Sequence, residues 1–201
     1  MNPYSNKRTL PVGKLEYKCT FEVNKVEASL EFGEKELIYS IPILINKPGI
    51  YCNLGELYGG SSILMAISIK NLGLDAKVYT VDMDRKHLKK SAINYKKHDV
   101  KEYIIQHEGT TNGWAGIFKN KGIKFQFVFI DASHVFKDVY NDIINYSNLL
   151  VPDGFIGFHD TNQDDVNEAI IKSKIDKWEL VEWVNRIKLF RKPINNGDIS
   201  T

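Results

Sequence analysis

The stretch Phe127-Val-Phe-Ile-Asp-Ala-Ser-His134 decides the fold of this chain. Its first residues belong to an apolar run, Phe125–Ile130, that is rich in aromatic and β-branched side chains and does not alternate with polar ones. Such a run predicts a central strand that is covered on both faces, as in a parallel sheet. Two residues that can carry chemistry, Asp131 and His134, follow this strand directly.

A second segment, Gly154-Phe-Ile-Gly-Phe-His-Asp160, repeats the pattern. Here the predicted strand is Phe155–Phe158, and His159 and Asp160 come after it. Open α/β sheets bind ligands at the carboxyl ends of their strands, and neighbouring strands lie only about 4.8 Å apart. If the two strands are neighbours, two carboxylates and two imidazoles converge on one site.

From Gly49 onward, strand and helix patterns alternate along the chain, which predicts parallel βα units. The helix that begins at Phe136 has the clearest 3.6-residue periodicity. Asn185 and Arg186 alone separate the last two strands, so that pair should be an antiparallel hairpin. The fold class is therefore α/β, with a doubly wound, mostly parallel sheet of seven strands. The predicted strands are Ile50–Leu54, Lys77–Val81, Tyr103–His107, Phe125–Ile130, Phe155–Phe158, Trp178–Val184 and Ile187–Arg191.

A glycine-rich turn follows the first of these strands, in Asn53-Leu-Gly-Glu-Leu-Tyr-Gly-Gly-Ser-Ser62. Glycines permit a tight turn and close approach of a ligand, and Ser61 or Ser62 is placed to cap the next helix. Asp82 ends the next strand 22 residues beyond Gly60, near the spacing of about 20 for an acid that binds ribose. The turn alone fits either a loop with positive φ or a ligand site. Together with Asp82 it favours nucleoside binding.

Four motifs in this order carry a resemblance: NLGELYGGSS at 53–62, VYTVD at 78–82, FVFIDASH at 127–134 and PDGFIGFHD at 152–160. They resemble the class I S-adenosylmethionine-dependent methyltransferases. More narrowly, they resemble the metal-dependent small-molecule O-methyltransferases, which include macrolide-sugar and cephalosporin-pathway relatives. The resemblance covers about residues 49–192. It implies a Rossmann-like fold, S-adenosylmethionine as cofactor, and methyl transfer to a hydroxyl of a sugar or secondary metabolite.

The resemblance also assigns a cofactor site. It implies that the glycine turn holds the methionine part of the cofactor, that Asp82 binds the ribose, and that the loop 107–110 lies near the adenine. One position departs from the family, because Asn53 stands where the family usually has a carboxylate. The candidate cofactor-binding residues are Asn53, Gly55, Gly59, Gly60, Ser61, Asp82, Glu108, Gly109 and Asp131.

The acid–histidine residues suit methyl transfer to oxygen. A histidine can remove the hydroxyl proton because its ordinary pKa is near 6.5, and a divalent cation bound by carboxylates can align the acceptor. The resemblance implies His134 as base, and Asp131, His159 and Asp160 as metal ligands. His159 departs from the family, whose relatives carry glutamate there. Each residue also has a structural alternative: a helix cap for Asp131, a surface position for His134, a satisfied strand-end histidine for His159 and a turn for Asp160.

The ends of the chain fall outside these motifs. Alternating apolar residues over Leu15–Val23 and again over Val26–Phe32 predict two half-buried strands, and Ile41–Ile45, interrupted by Pro42, predicts an edge or connector. We interpret residues 1–48 as a cap or oligomerisation segment, 49–192 as the cofactor-binding domain, and 193–201 as a loose tail.

Composition sets the remaining expectations. The 201 residues are 43% hydrophobic with a net charge of +2, which gives no indication of a nucleic-acid partner. The two cysteines form no CxxC pair and no apolar stretch is long enough for a bilayer or a signal peptide, so we expect a cytoplasmic protein without a membrane partner. Two alternatives remain: an NAD-dependent oxidoreductase, disfavoured by the GxxxGG spacing, and a non-catalytic binding module, favoured by the departures at Asn53 and His159.

Overall fold

A computed structural model of the protein describes residues 23–194. The predicted strand Leu15–Val23 and most of the predicted tail lie outside that range. The helices are α1 (Phe32–Ile45), α2 (Gly60–Leu72), α3 (Arg85–Lys97), α4 (Thr111–Asn120), α5 (Phe136–Ser147) and α6 (Asp164–Lys172). The strands are β1 (Gly49–Leu54), β2 (Ala76–Asp82), β3 (Ile104–Glu108), β4 (Phe125–Ile130), β5 (Leu150–Phe158), β6 (Glu179–Val184) and β7 (Ile187–Arg191).

The seven strands form one sheet in the order β3-β2-β1-β4-β5-β7-β6. The first five strands run parallel, and β7 is antiparallel to both β5 and β6. The predicted fold class is therefore confirmed. Strands β4 and β5 are neighbours, with Ile130 opposite Phe158, so the residues that follow them meet at one edge of the sheet.

Helices cover both faces of the sheet and bury two apolar clusters. One cluster joins α1 and α2 to the sheet, and the other joins α4, α5 and α6 to its opposite face. The central strand β4 contributes to both, because Phe127 and Phe129 point into the first cluster and Val128 and Ile130 into the second. This two-sided burial explains why the strand lacks polar alternation. No helix within residues 23–194 is long and apolar enough to cross a membrane.

The predicted strand at Val26–Phe32 is wrong, and so is the predicted edge or connector at Ile41–Ile45, because Phe32–Ile45 is a helix. Residues 26–31 form bends and irregular backbone, and α1 begins at Phe32 with a capping box between Glu31 and Glu34. A capping box satisfies backbone donors that a helix start leaves free, and it overrides a short apolar alternation.

Pro42 lies inside α1, although proline in a helix interior costs about 3 kcal/mol. The helix persists because its apolar side chains are buried against α2 and the sheet, among them Leu37, Ile38 and Ile41. Burial of each such side chain contributes about 1.5–3 kcal/mol, and tertiary packing of this kind outweighs local propensity. Residues 32–45 thus belong to the same core as the sheet, while a role of residues 1–48 in oligomerisation stays a prediction.

Two local details differ from the sequence-based expectations. Neither Ser61 nor Ser62 caps α2, because Gly59 occupies the N-cap position with φ 86° and there is no side-chain cap. Pro152-Asp-Gly154, a sequence typical of a turn, is part of β5, where Asp153 takes φ 66° beside a register shift against β4. Gly73 ends α2 in the left-handed conformation.

Candidate active site

A groove runs along the carboxyl ends of β1, β2 and β4. It consists of two adjoining cavities that share Gly55, Asp82 and Ala132. The first, about 390 Å³, extends toward β3 and is lined by Gly109 and Thr111; we call it the β3-side cavity. The second, about 490 Å³, extends toward α1 and holds the acid–histidine residues; we call it the α1-side cavity.

The glycine turn forms the floor between the two cavities. Gly55 has φ 89°, and a Cβ there would lie 2.2 Å from the carbonyl oxygen of Asp131. The close packing arises because the backbone N–H of Asp131 donates to Leu54 and that of Gly55 donates to Val81. Only glycine can occupy position 55, and the turn is fixed tightly against the ends of the neighbouring strands.

Asn53 lies beneath this turn and is 1% exposed. Its amide nitrogen donates to the Gly55 carbonyl at 2.8 Å and to the Ser62 hydroxyl at 3.1 Å, while its amide oxygen has no hydrogen-bond partner among the described residues. Asn53 therefore shapes the turn from below.

Glu56 was not among the predicted site residues. Its side chain is 3% exposed, and its carboxyl accepts from the Ser62 hydroxyl at 3.1 Å. Burial raises the pKa of Glu56 to about 8, although hydrogen bonds from Ser62, Asn53 and Thr80 lower it in part. The signal in the sequence was an acid inside the glycine turn, three residues after the position where the family usually has one.

Asp82 joins the turn to the groove. Its carboxylate accepts from the backbone N–H groups of Glu56 at 2.9 Å and Leu57 at 3.3 Å, and His87 Nδ1 lies 3.2 Å from it. His87 thus borders the groove as well. Asp82 lines both cavities, and its carboxylate also fixes the turn.

Several of the remaining predicted cofactor residues line the groove, whereas Gly59 and Glu108 are not among its lining residues. Ser61 and Gly60 border the α1-side cavity, and Gly109 borders the β3-side cavity. Glu108 is exposed and forms an ion pair with Arg85 at 3.5 Å. The aromatic group of His107, Trp114 and Phe118 packs behind the loop that carries Gly109, with His107 and Trp114 ring centroids 4.3 Å apart.

The structure brings together all four acid–histidine residues. His134 Nε2 lies 2.7 Å from Asp160 Oδ2. His159 Nδ1 lies 3.1 Å from Asp131 Oδ1 and 3.3 Å from Asp160 Oδ2. Asp131 does not cap a helix, because α5 begins only at Phe136. Asp160 has φ 50°, a left-handed conformation that is uncommon outside glycine and occurs at functional sites.

Two further residues belong to this cluster, and sequence reasoning missed both. Glu34 reaches the site from α1 with no exposed surface, and Arg186 reaches it from the turn between β6 and β7. Arg186 Nη2 donates to Glu34 Oε2 at 3.0 Å, and Arg186 Nη1 donates to Asp160 Oδ1 at 2.9 Å. No local motif marks either residue, because 152 positions separate them in sequence.

The cluster combines three carboxylates, of Glu34, Asp131 and Asp160, with Arg186 and His159. Burial lowers the pKa of His159, but the nearby Asp131, Asp160 and Glu34 carboxylates outweigh it and raise the pKa above its ordinary value. Burial likewise raises the pKa of Glu34, and hydrogen bonds from Glu31 and Arg186 reverse this to a net lowering. These directions describe ionised carboxylates held by cationic partners.

Part of this cluster fits a divalent cation. Ligand atoms of Asp131, His134 and Asp160 all lie within 4.8 Å of one another. Two carboxylates and one imidazole suit divalent cations such as magnesium, manganese or iron. His159 is placed differently, since its Nε2 lies 3.4 Å from Glu34 and its Nδ1 faces Asp131. Coordination by His159 would require one of these contacts to open.

Comparison with known proteins gives the family. The profile of the family described as "Methyltransferase domain" matches residues 52–161, a range that includes the glycine turn, Asp82 and all four acid–histidine residues. The fold and the groove define a class I methyltransferase, as the sequence motifs predicted. The chain belongs to the methyltransferase domain family.

Solved structures share the fold at low sequence identity. An O-methyltransferase from Bacillus cereus, in complex with SAH, has a TM-score of 0.67 and 17% identity, over 85% of this chain and 86% of that one. The O-methyltransferase TomG from Streptomyces achromogenes, in complex with SAM, has a TM-score of 0.66 and 15% identity, with 82% of both chains covered. The O-methyltransferase NovP has a TM-score of 0.63 and 16% identity, with 79% of both covered. The search of curated proteins found no match.

Proposed function

We propose that this protein transfers a methyl group from S-adenosylmethionine to a hydroxyl oxygen of a small molecule, with His134 as the base. The observation that carries the proposal is the 2.7 Å contact between His134 Nε2 and Asp160 Oδ2 inside the groove. A carboxylate that accepts from Nε2–H holds the imidazole in one tautomer and leaves Nδ1 free to accept a proton. The family and the bound SAM and SAH of structural neighbours support the cofactor.

The proposed arrangement assigns each cavity a role. The glycine turn, Asp82 and the loop with Glu108 and Gly109 would hold the cofactor across the β3-side cavity, with the acceptor in the α1-side cavity beside His134. When bound, the cofactor supplies an electrophilic methyl group. His134 Nδ1 would take the proton of the acceptor hydroxyl as that oxygen receives the methyl group.

The charges of the α1-side cavity favour an uncharged or cationic acceptor. Its lining includes the carboxylates of Glu27, Asp131 and Asp160, and the cation among its lining residues, Arg186, is already paired with Glu34 and Asp160. A carboxylated or phosphorylated acceptor would meet uncompensated negative charge there.

A divalent cation is a second candidate feature, favoured by the close ligand atoms of Asp131, His134 and Asp160. Those residues, with His159 if its carboxylate contacts open, would hold the cation, which would supply Lewis-acid stabilisation of the acceptor oxygen. In that arrangement His134 is a ligand and cannot also accept the proton.

One experiment separates the two mechanisms. Purified protein is screened with S-adenosylmethionine against hydroxylated small molecules, and turnover is compared in excess chelator and in added magnesium or manganese. The base mechanism predicts activity that survives the chelator and is lost in His134→Ala. Activity that needs the metal would instead support a bound cation in the reaction, and failure of calorimetry to detect S-adenosylmethionine binding would overturn the proposal as a whole.

A further inference from the structure

We propose that Glu34 and Arg186 act as positioning residues, holding Asp160 and through it the tautomer and orientation of His134. This inference rests on the proposed function, because it concerns the residue named there as the base. It adds a contribution from α1, an element that precedes the part of the chain matched by the family.

Glu34 and Arg186 are joined by three hydrogen bonds. The backbone N–H and Nε of Arg186 donate to Glu34 Oε1 at 3.1 and 3.2 Å, and Nη2 donates to Oε2 at 3.0 Å. Glu34 is wholly buried. A planar guanidinium bound by both carboxylate oxygens has little freedom to rotate, so its remaining nitrogen points in a fixed direction.

That remaining nitrogen, Nη1, binds Asp160, the carboxylate that contacts His134. It donates to Asp160 Oδ1 at 2.9 Å, while Asp160 Oδ2 faces His134. Each oxygen of Asp160 thus has a different partner, and the side chain cannot turn without losing one. Asp160 has a left-handed backbone, with φ 50°, a conformation that aspartate adopts more often than most residues.

Glu34 also reaches the second carboxylate of the cluster. Its Oε2 lies 3.4 Å from His159 Nε2, and the opposite ring nitrogen contacts Asp131. One buried carboxylate of α1 therefore contacts both Arg186 and His159, and each of these contacts a carboxylate at the end of β4 or β5.

Stability alone gives a poor account of this pair. Glu34 takes part in the capping box of α1, where its Oε2 accepts from the Glu31 N–H at 2.8 Å. A glutamine would serve that cap equally well. Burying an ion pair often gains nothing over well-packed neutral side chains of similar size. The ionised pair is explained if its task is to fix the geometry of Asp160.

The test reads His134 directly and needs no known acceptor. In ¹⁵N-histidine-labelled protein, with chelator and at pH 8.5, well above the ordinary histidine pKa of about 6.5, the two ring nitrogens of His134 report its tautomer. His134→Gln assigns the signals. We expect widely separated nitrogen shifts in the native protein, and shifts that move toward each other in Glu34→Gln and in Arg186→Lys, which keeps the charge but loses the two-pronged contact.

Two controls separate positioning from stability. Arg191 lies on the same hairpin as Arg186, and Arg191→Gln removes its ion pairs with Asp153 of β5 and Glu179 of β6. This variant should leave His134 unchanged. The double variant Glu34→Gln/Arg186→Met leaves neither charge of this pair buried, so we expect it to fold even if a single variant does not. In this double variant, as in the single variants, the two ring-nitrogen shifts of His134 should move toward each other.

The outcomes distinguish this inference from the proposed function. Native His134 shifts in a folded Glu34→Gln, Arg186→Lys or double variant would overturn the positioning role, whatever His134→Ala does to turnover. Full turnover in His134→Ala would overturn the base without touching the positioning result. Once a screened acceptor is in hand, Arg186→Lys should lower kcat by about 10-fold or more with unchanged S-adenosylmethionine affinity.

Discussion

The two halves of the groove differ in the ionisation of a buried acid. The cofactor half is the glycine turn, residues 53–62, with Asp82, and the acid–histidine half is the cluster of Asp131, His134, His159 and Asp160 with Glu34 and Arg186. In the cofactor half, Glu56 is a buried carboxyl with no ion-pair partner among residues 23–194, and its pKa is raised to about 8. In the acid–histidine half, the buried Glu34 is ionised and paired with Arg186, with His159 beside it. Both side chains are almost wholly removed from solvent, so burial disfavours the charged form of each. The two acids differ because Arg186 pairs with Glu34, whereas no cationic side chain among residues 23–194 pairs with Glu56.

The comparison indicates what each half requires of a ligand. The acid–histidine half is already organised by its own cations, so its geometry does not depend on what binds. In the cofactor half, the carboxyl of Glu56 has no cation beside it within the described part of the chain, and its pKa is raised to about 8. A ligand that carries an ammonium group near Glu56 would stabilise the ionised carboxylate. Family members usually place an acid at the position of Asn53. Glu56 restores a carboxyl to the same turn at a different position.

The largest effect is expected in the acid–histidine half. His134→Ala should lower turnover by about 10²–10⁴-fold, the usual range for loss of a general base. Calorimetry should find S-adenosylmethionine affinity unchanged, because His134 lies on the acid–histidine side of the groove, where it contacts Asp160. Transfer of a radiolabelled methyl group to an acceptor identified by screening measures the rate. His98→Ala is the matched control, since His98 ends α3 away from the groove.

The next effect tests the cofactor half through stability. A folded-state pKa of about 8 for Glu56, above the ordinary 4.5, means that the folded protein holds a proton that the unfolded chain releases. Stability is therefore fully present below pH 4.5 and is lost as pH rises toward 8, with a slope that approaches about 1.4 kcal/mol per pH unit for this group.

Glu56→Gln should remove that contribution from the pH dependence. Denaturant unfolding of both proteins between pH 5 and 9 measures it, and the curves should diverge as pH rises, with the variant the more stable at pH 9. Parallel curves would mean that Glu56 is ionised in the folded protein and has a cation partner. S-adenosylmethionine should reduce the divergence if its ammonium group lies near Glu56.

The two halves also differ in how far the sequence predicts them. The cofactor half is built from a strand, a turn and a helix that follow one another, with one acid at a fixed spacing, so local motifs located Gly55 and Asp82. Strand periodicity located Asp131 and His159 because parallel strands align their ends. Glu34 and Arg186 carry no local signal: they meet only through packing of α1 against the sheet. The apolar alternation over Val26–Phe32 predicted a strand that is absent there. The helix that begins at Phe32 depends instead on its capping box and on burial against the sheet.

The smallest effect concerns Asp82, where the two functions of one carboxylate can be separated. Asp82→Ala should weaken S-adenosylmethionine binding by about 1–3 kcal/mol, the scale of a lost charge-assisted hydrogen bond. Part of that loss could come from the turn, because Asp82 accepts the N–H groups of Glu56 and Leu57. Adenosine and methionine, titrated separately by calorimetry, distinguish the contributions. If Asp82 binds the ribose, the variant loses affinity for adenosine more than for methionine. Equal losses for both fragments would assign Asp82 to the turn alone, and unchanged affinity for S-adenosylmethionine would remove it from the cofactor site.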